Sequence, residues 1–173
     1  MNPMPLIRDE RSADIDAITA VTTEAFKTLD ISDGSEPGMV LELREANALS
    51  VSLVAELDNE IVGHVAFSRV EISDGTHDWY TLGPVSVLPK LHRQGIGKAL
   101  IEAGLERLKS LGAAGCCVVG HLEYYPKFGF QNVSELVYEG IPQEYFFALA
   151  FDGKVPNGSV TFHEALQEEE PEA

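Results

Sequence analysis

The chain has 173 residues, close to the ~100–200 of a single domain, and 45% of them are apolar, enough to build a packed core. Twelve Lys and Arg stand against twenty-eight Asp and Glu, a formal charge of −16, which repels phosphate backbones and argues against nucleic-acid binding. No apolar run approaches the ~20 residues of a membrane span, and Cys116 and Cys117 are adjacent, so the chain reads as a soluble cytoplasmic protein with neither a membrane segment nor a disulfide framework.

Leu6-Ile7-Arg8 is a short strand. Ser12 offers an N-cap to a helix that carries Ile15, Ile18, Val21, Thr22 and Phe26 at helical spacing. Residues 30–38, rich in Asp, Ser and Gly, read as a loop, and residues 39–48 as a second, shorter helix. Strands over residues 51–57 and 61–72 flank Asp58-Asn59-Glu60, which predicts a hairpin, and a strand over residues 79–88 completes an antiparallel meander. After Pro89 the pattern changes. A glycine-containing loop opens a helix with Ile96, Leu100, Ala103, Leu105 and Leu108 as its apolar positions and Leu111-Gly112 as its stop. Residues 114–119 form a buried strand, residues 124–130 a compact aromatic segment, and residues 135–138 and 145–151 two last strands. From Glu164 on, five Glu and no Lys or Arg in ten residues read as a solvated tail. Strands, then a helix, then strands argue an α+β fold with a mixed sheet.

The strongest local signal lies in residues 84–101. This stretch contains no acid, yet holds Lys90, His92, Arg93 and Lys98. In so acidic a chain the inversion points to an anion, because Gly95 and Gly97 allow close backbone approach and the first amides of a helix have no intrahelical partners. A glycine-rich helix start with a solvated cationic face would explain the same residues. A P-loop does not fit, since Ala99 replaces the hydroxyl residue after Gly97-Lys98 and His92 stands at the leading glycine position. A dinucleotide fingerprint fails at Leu100, where its third glycine belongs.

The run from Leu88-Pro89 through His92-Arg93-Gln94-Gly95-Ile96-Gly97 into an amphipathic helix resembles the acetyl-CoA motif of the GNAT superfamily of N-acyltransferases, written [QR]-x-x-G-x-[GA]. Tyr124-Tyr125-Pro126-Lys127-Phe128-Gly129-Phe130 is similar to the superfamily's later Y-x-x-x-G-F segment. His92 departs from the pattern, standing where the family has Gln or Arg. The likeness covers residues 5–153, leaving residues 154–173 as a C-terminal extension with the acidic tail. It implies an α/β sandwich whose mixed, mostly antiparallel central sheet of about seven strands is flanked by helices.

The resemblance also implies a chemistry. Acetyl-CoA would be the co-substrate and a primary amine the acceptor, on a small molecule or a peptide, with transfer in a direct ternary complex and room for a homodimer. The backbone of Val85, Ser86 and Val87 would hold the pantetheine arm, and the amides of Arg93, Gln94, Gly95, Ile96, Gly97 and Lys98 the pyrophosphate. Tyr125, four residues before Gly129, has the spacing of the family's general acid, with Tyr124 as its competitor. The residues leave the base open. His121 follows the buried strand and carries an imidazole suited to proton transfer near neutral pH, while Glu56 and Glu123 remain candidates through a water. His64 alternates onto an apolar face and reads as a core histidine. No Cys, His and carboxylate spacing suggests a metal site. Asp30, Asp33, Glu36, Glu42, Glu45, Asp74, Asp78 and Glu144 fall in the variable regions and point weakly to a cationic acceptor. A non-catalytic acyl-CoA sensor on the same fold is the alternative function.

Overall fold

Hydrophobic alternation along the strands places every second residue under a helix, and one helix dominates each side of the sheet. The computed structural model describes residues 4–27 and 35–167. In chain order its elements are β1 (Leu6–Asp9), α1 (Ile15–Lys27), α2 (Glu36–Glu45), β2 (Val51–Leu57), β3 (Glu60–Arg69), β4 (Glu71–Ile72), β5 (Trp79–Val87), α3 (Ile96–Ser110), β6 (Gly115–Val119), β7 (Leu136–Val137), β8 (Phe146–Ala150) and β9 (Gly158–Thr161). Six strands form the main sheet in the order β1-β2-β3-β5-β6-β8, antiparallel throughout except for β5 beside β6. A small sheet, β4-β9-β7, stands apart.

The predicted hairpin forms. Leu57 pairs with Glu60, and Asp58 and Asn59 between them both adopt positive φ, 50° and 65°, as a two-residue turn matched to strand twist requires. On one face Leu53, Val65 and Phe67 meet Leu100, Ile101, Leu105 and Leu108 of α3 in an apolar core. The face under α1 and α2 carries the buried polar strand residues Ser52 and His64 alongside Val54. β5 accompanies β6 for only three pairs, Trp79 with Gly115 to Thr81 with Cys117. Beyond them β5 follows β3 alone, through an irregularity where register passes from Phe67–Leu82 to Val65–Val85, while β6 continues beside β8 to Val119. The main sheet therefore opens in its middle.

Several expectations shift. Ser12 does not cap α1; a short 3-10 turn precedes the helix, and the Asp14 carboxylate accepts the Arg11 N–H at 2.7 Å. α2 begins three residues earlier than its predicted start at residue 39, because Pro37 is tolerated in a first helical turn. Ala25, not Phe26, completes the buried stripe of α1, and Ile101 and Gly104 are buried in α3 where Ala103 is only half-buried. The long strand over residues 61–72 breaks at Val70, whose N–H bonds the Trp79 carbonyl at 3.0 Å, and β4 leaves to pair with β9. β9 is a strand not foreseen, in the stretch read as an extension, and it buries Val160. Residues 30 to 34 of the predicted loop and residues 168–173 of the predicted tail lie outside the described residues.

Candidate active site

Arg93 and Gly95 take positive φ, 66° and 84°, turning the loop back over the start of α3. The left-handed geometry at Gly95 is strained for any side chain. The first intrahelical bond, Ala99 N–H to the Gly95 carbonyl at 3.0 Å, leaves the amides before it without helical partners. Above them lies a cleft of about 520 Å³, walled by Val85, Ser86 and Val87 of β5, by the loop, by Phe26 of α1, and by Tyr124 and Lys127. Among the described residues its charged lining side chains, Arg93, Lys98 and Lys127, are all basic. Lys127 Nζ sits 3.9 Å from the centre of the Tyr124 ring, a cation–π contact, and Lys98 Nζ lies 3.9 Å from Glu102 one turn further on. His92 Nε2 donates to the Val87 carbonyl at 2.9 Å and so ties the loop to the end of β5. The Thr22 hydroxyl donates to the Ile18 carbonyl at 2.8 Å, so the buried Ser86 hydroxyl, 3.3 Å away, donates to Thr22.

A second chamber of about 630 Å³ adjoins the first, and Phe26, Val85 and Tyr124 line both. Its inner end is the opening in the sheet, between residues 82–85 of β5 and Val119-Gly120 at the end of β6. Tyr125 lies against that opening. A Cβ at position 120 would overlap its ring, so glycine there is what admits the tyrosine. The ring packs edge-on to Tyr124 and Phe130, with centroids 5.1 Å and 5.9 Å away. Burial, helped by Tyr124 and Cys116, pushes the Tyr125 phenol up to about 12; burial also raises the half-buried Tyr124. At the outer wall His121 meets Tyr145 edge-on at 6.2 Å, with Ile141 and Pro142 alongside. Among the described residues no Asp, Glu, Lys or Arg lines this chamber.

Residues 18–130 match the acetyltransferase (GNAT) family model. The chain belongs to the GNAT acetyltransferase family. It is 32% identical over 127 residues to the uncharacterized N-acetyltransferase YhbS of Escherichia coli K12, an alignment covering 73% of each chain. A GNAT family acetyltransferase from Brucella melitensis, solved in complex with acetyl-CoA, superposes with a TM-score of 0.84 at 43% identity, covering 94% of this chain and 97% of that one. The E. coli YhbS structure, solved in complex with CoA, gives 0.86 at 28% identity over 95% and 94%.

The GNAT motif residues named from sequence fall largely together. Val85, Ser86, Val87, Arg93, Gly95, Ile96, Gly97 and Lys98 line the first chamber, and Tyr125 and His121 the second. Gln94 and Lys90 line neither, although both lie in the same stretch. His92, the departure from the GNAT pattern, is bonded back to β5. Of the two acids considered as bases, Glu56 pairs with Arg8 at 3.3 Å, and Glu123 is exposed and lines neither chamber. Two of the acids expected to attract a cationic acceptor are engaged elsewhere: Asp74 accepts the Thr76 and Asn157 amides, and Asp78 pairs with Arg69 at 3.2 Å. Asp30 and Asp33 lie outside the described residues. His64 is a core histidine as expected, fully buried, with Nε2 2.7 Å from the Ser52 hydroxyl. Ser52 also bonds the Glu10 carboxylate, which can only accept, so His64 holds its proton on Nε2 and donates to Ser52. Cys116 and Cys117 are buried, and burial raises both thiols, Cys117 to about 12. Among the described residues no cluster of His, Cys, Asp and Glu could hold a metal ion, and no helix is long and apolar enough to cross a membrane.

Sequence reasoning missed Lys127, Gly120, Tyr145 and the wall formed by Phe26. Lys127 sits inside the quoted Y-x-x-x-G-F segment, and Gly120 directly follows a buried strand, so each carried a signal. Phe26 and Tyr145 carried none, because their place depends on distant elements meeting.

Proposed function

We propose that the protein transfers the acetyl group of acetyl-CoA to a primary amine within a direct ternary complex. The observation that carries this reading is the pair of adjoining chambers, one basic and rich in free helix amides, the other aromatic, sharing Val85 and Tyr124 beside Tyr125. The amides at the start of α3, with Arg93, Lys98 and Lys127, suit a pyrophosphate. The Val87 carbonyl is engaged by His92, so Val85 is the backbone partner of the arm nearest the junction. A backbone N–H there, directed at the thioester oxygen as charge develops on it, is worth about 10²–10³-fold in rate.

Three groups share the proton work. The amine nitrogen attacks the thioester carbon, the carbon–sulfur bond breaks, and an amide and a thiol result. The proton lost from nitrogen passes to His121 or through it to water. The departing sulfur accepts a hydrogen bond from the Tyr125 phenol, and the proton the thiol finally carries comes from solvent. With its phenol at about 12, Tyr125 stays protonated at neutral pH and is always available as a donor. Full transfer to a thiolate of ordinary basicity, near ~8.5, runs uphill from so weak an acid, so its main part is a hydrogen bond that strengthens as the sulfur departs. No acyl-enzyme is needed, and the buried, high-pKa cysteines and the Ser86 hydroxyl committed to Thr22 offer no nucleophile for one.

Initial rates of thiol release, with acetyl-CoA and amine both varied, test the reading. Intersecting double-reciprocal lines are expected, and parallel lines would point to an acyl-enzyme. A chain that acetyl-CoA stabilises thermally but that releases no thiol with any primary amine is the acyl-CoA sensor instead.

A further inference from the structure

Among the described lining residues the second chamber differs from the first in charge, having no Asp, Glu, Lys or Arg where the first has three cations. We infer that the acceptor is a monoamine on an apolar body, aromatic by preference, and that the chamber itself strips the ammonium of its proton; this rests on the acetyl-transfer reading above. Phe26, Tyr124, Tyr125 and Tyr145 present ring surface to the space, and Ile141 and Pro142 add aliphatic wall. A volume of about 630 Å³ falls within the range for small-molecule sites and holds far more than an amino group.

Charge decides between acceptor classes. A polyamine or aminoglycoside would bring further ammonium groups into a space where no described carboxylate can pair with them, and an unpaired charge is costly to bury. A monoamine escapes that cost by shedding its single proton. Desolvation favours the neutral form of an amine, whose ordinary pKa is ~10.4, and the neutral form is the nucleophile. This accounts for the absence of a carboxylate base among the described lining residues: the chamber lowers the amine's proton affinity, and His121 at the wall need only pass the proton outward. A tyrosine face steadies the amine as it enters charged, by a cation–π contact of the kind Lys127 makes with Tyr124.

The test compares thiol release with hexylamine, phenethylamine and the diamine of hexylamine's length, which differs from it only in a second ammonium. Alongside, calorimetry measures N-acetylphenethylamine binding to the CoA-saturated protein, a readout independent of turnover. The monoamines should exceed the diamine in kcat/KM by about tenfold or more, and N-acetylphenethylamine should bind. Ile141→Glu should lower kcat/KM for phenethylamine about tenfold and narrow the gap to the diamine, while the thermal shift with acetyl-CoA stays as in wild type. A diamine that equals or outruns the monoamines overturns the inference and leaves acetyl transfer standing. If N-acetylphenethylamine binds but no amine is acetylated, the apolar acceptor site stands and acetyl transfer falls. If N-acetylphenethylamine does not bind, the inference is overturned whatever the turnover.

Discussion

The two chambers that meet at Val85 are built in opposite ways. The basic one is made mostly of main chain and cations from one continuous stretch, β5 through the start of α3. The aromatic one is assembled from side chains that arrive on α1, β5, the end of β6, the Tyr124–Tyr125 segment and the turn before β8. A site of backbone amides tolerates changes of side chain but not of conformation. A site of side chains behaves in the reverse manner, and the two should respond differently to substitution.

The largest effect should come from forcing a side chain into the backbone-built site. Gly95→Glu places a Cβ at φ 84° and an acid among the cations. At acetyl-CoA of about 1,000 Kd the ligand adds about 4 kcal/mol to wild-type stability, and differential scanning fluorimetry should show nearly all of that gain missing in the variant. An undiminished thermal shift would locate the ligand elsewhere.

In the aromatic chamber the backbone can stay and a single atom can go. Tyr125→Phe should reduce turnover about 10²-fold, close to 2.7 kcal/mol in the barrier, with the acetyl-CoA thermal shift preserved. An acyl donor with a more acidic thiol should recover part of the loss, since its leaving group depends less on a donor. Full turnover with acetyl-CoA would remove Tyr125 from the chemistry.

Behind the basic chamber the polar character continues, because His64 pairs with Ser86 across β3 and β5. Burial pulls the His64 imidazole down to about 4, so its Nε2, 3.9 Å from Glu10, belongs to a neutral ring. The unfolded chain, with histidine near ~6.5, binds this proton more readily than the folded one. Stability is therefore present above about 6.5 and falls as pH drops from there to about 4, by something on the order of 3 kcal/mol. Urea titrations at stepped pH should show this slope in wild type and a flatter one in His64→Gln.

The smallest effect should belong to Tyr124→Phe. The Tyr124 ring, which walls both chambers and carries Lys127, is retained, so kcat should change by less than about fivefold. A loss as large as that of Tyr125→Phe would exchange the two tyrosines' roles.

The same contrast explains how much could be read from sequence. The basic chamber was visible because its information is local: glycines at fixed offsets, missing acids and a helix start lie within residues 84–101. The hairpin at Asp58-Asn59, the stop at Gly112 and the buried strand at β6 were legible for the same reason. The aromatic chamber was legible only at Tyr124, Tyr125 and His121, because Phe26 reads as one more position on an amphipathic helix and Tyr145 as a strand start. β4 and β9 escaped because two- and four-residue strands pair across more than eighty positions, beyond the reach of any local pattern. Two of the acids expected to attract a cationic acceptor give that expectation no support, for a related reason. Composition counts charges without saying where they point, and Asp74 and Asp78 are occupied by their own turns and neighbours.

The opening between β5 and β6 has a consequence for how the molecule comes apart. Among the described residues the ladder between the four-stranded part of the sheet and the β6–β8 pair is three rungs long, extended by one bond from the Ala114 N–H to the Asp78 carbonyl. Regions joined so sparsely tend to open as separate cooperative units, with free energies below that of global unfolding. Amide hydrogen exchange should then resolve two protected blocks, with the strand ends that border the opening exchanging ahead of both. A ligand lying in that opening bonds to one block while touching the other. Its binding should merge the two exchange populations into one, so that occupancy of the active site is registered as the folding unity of the whole sheet.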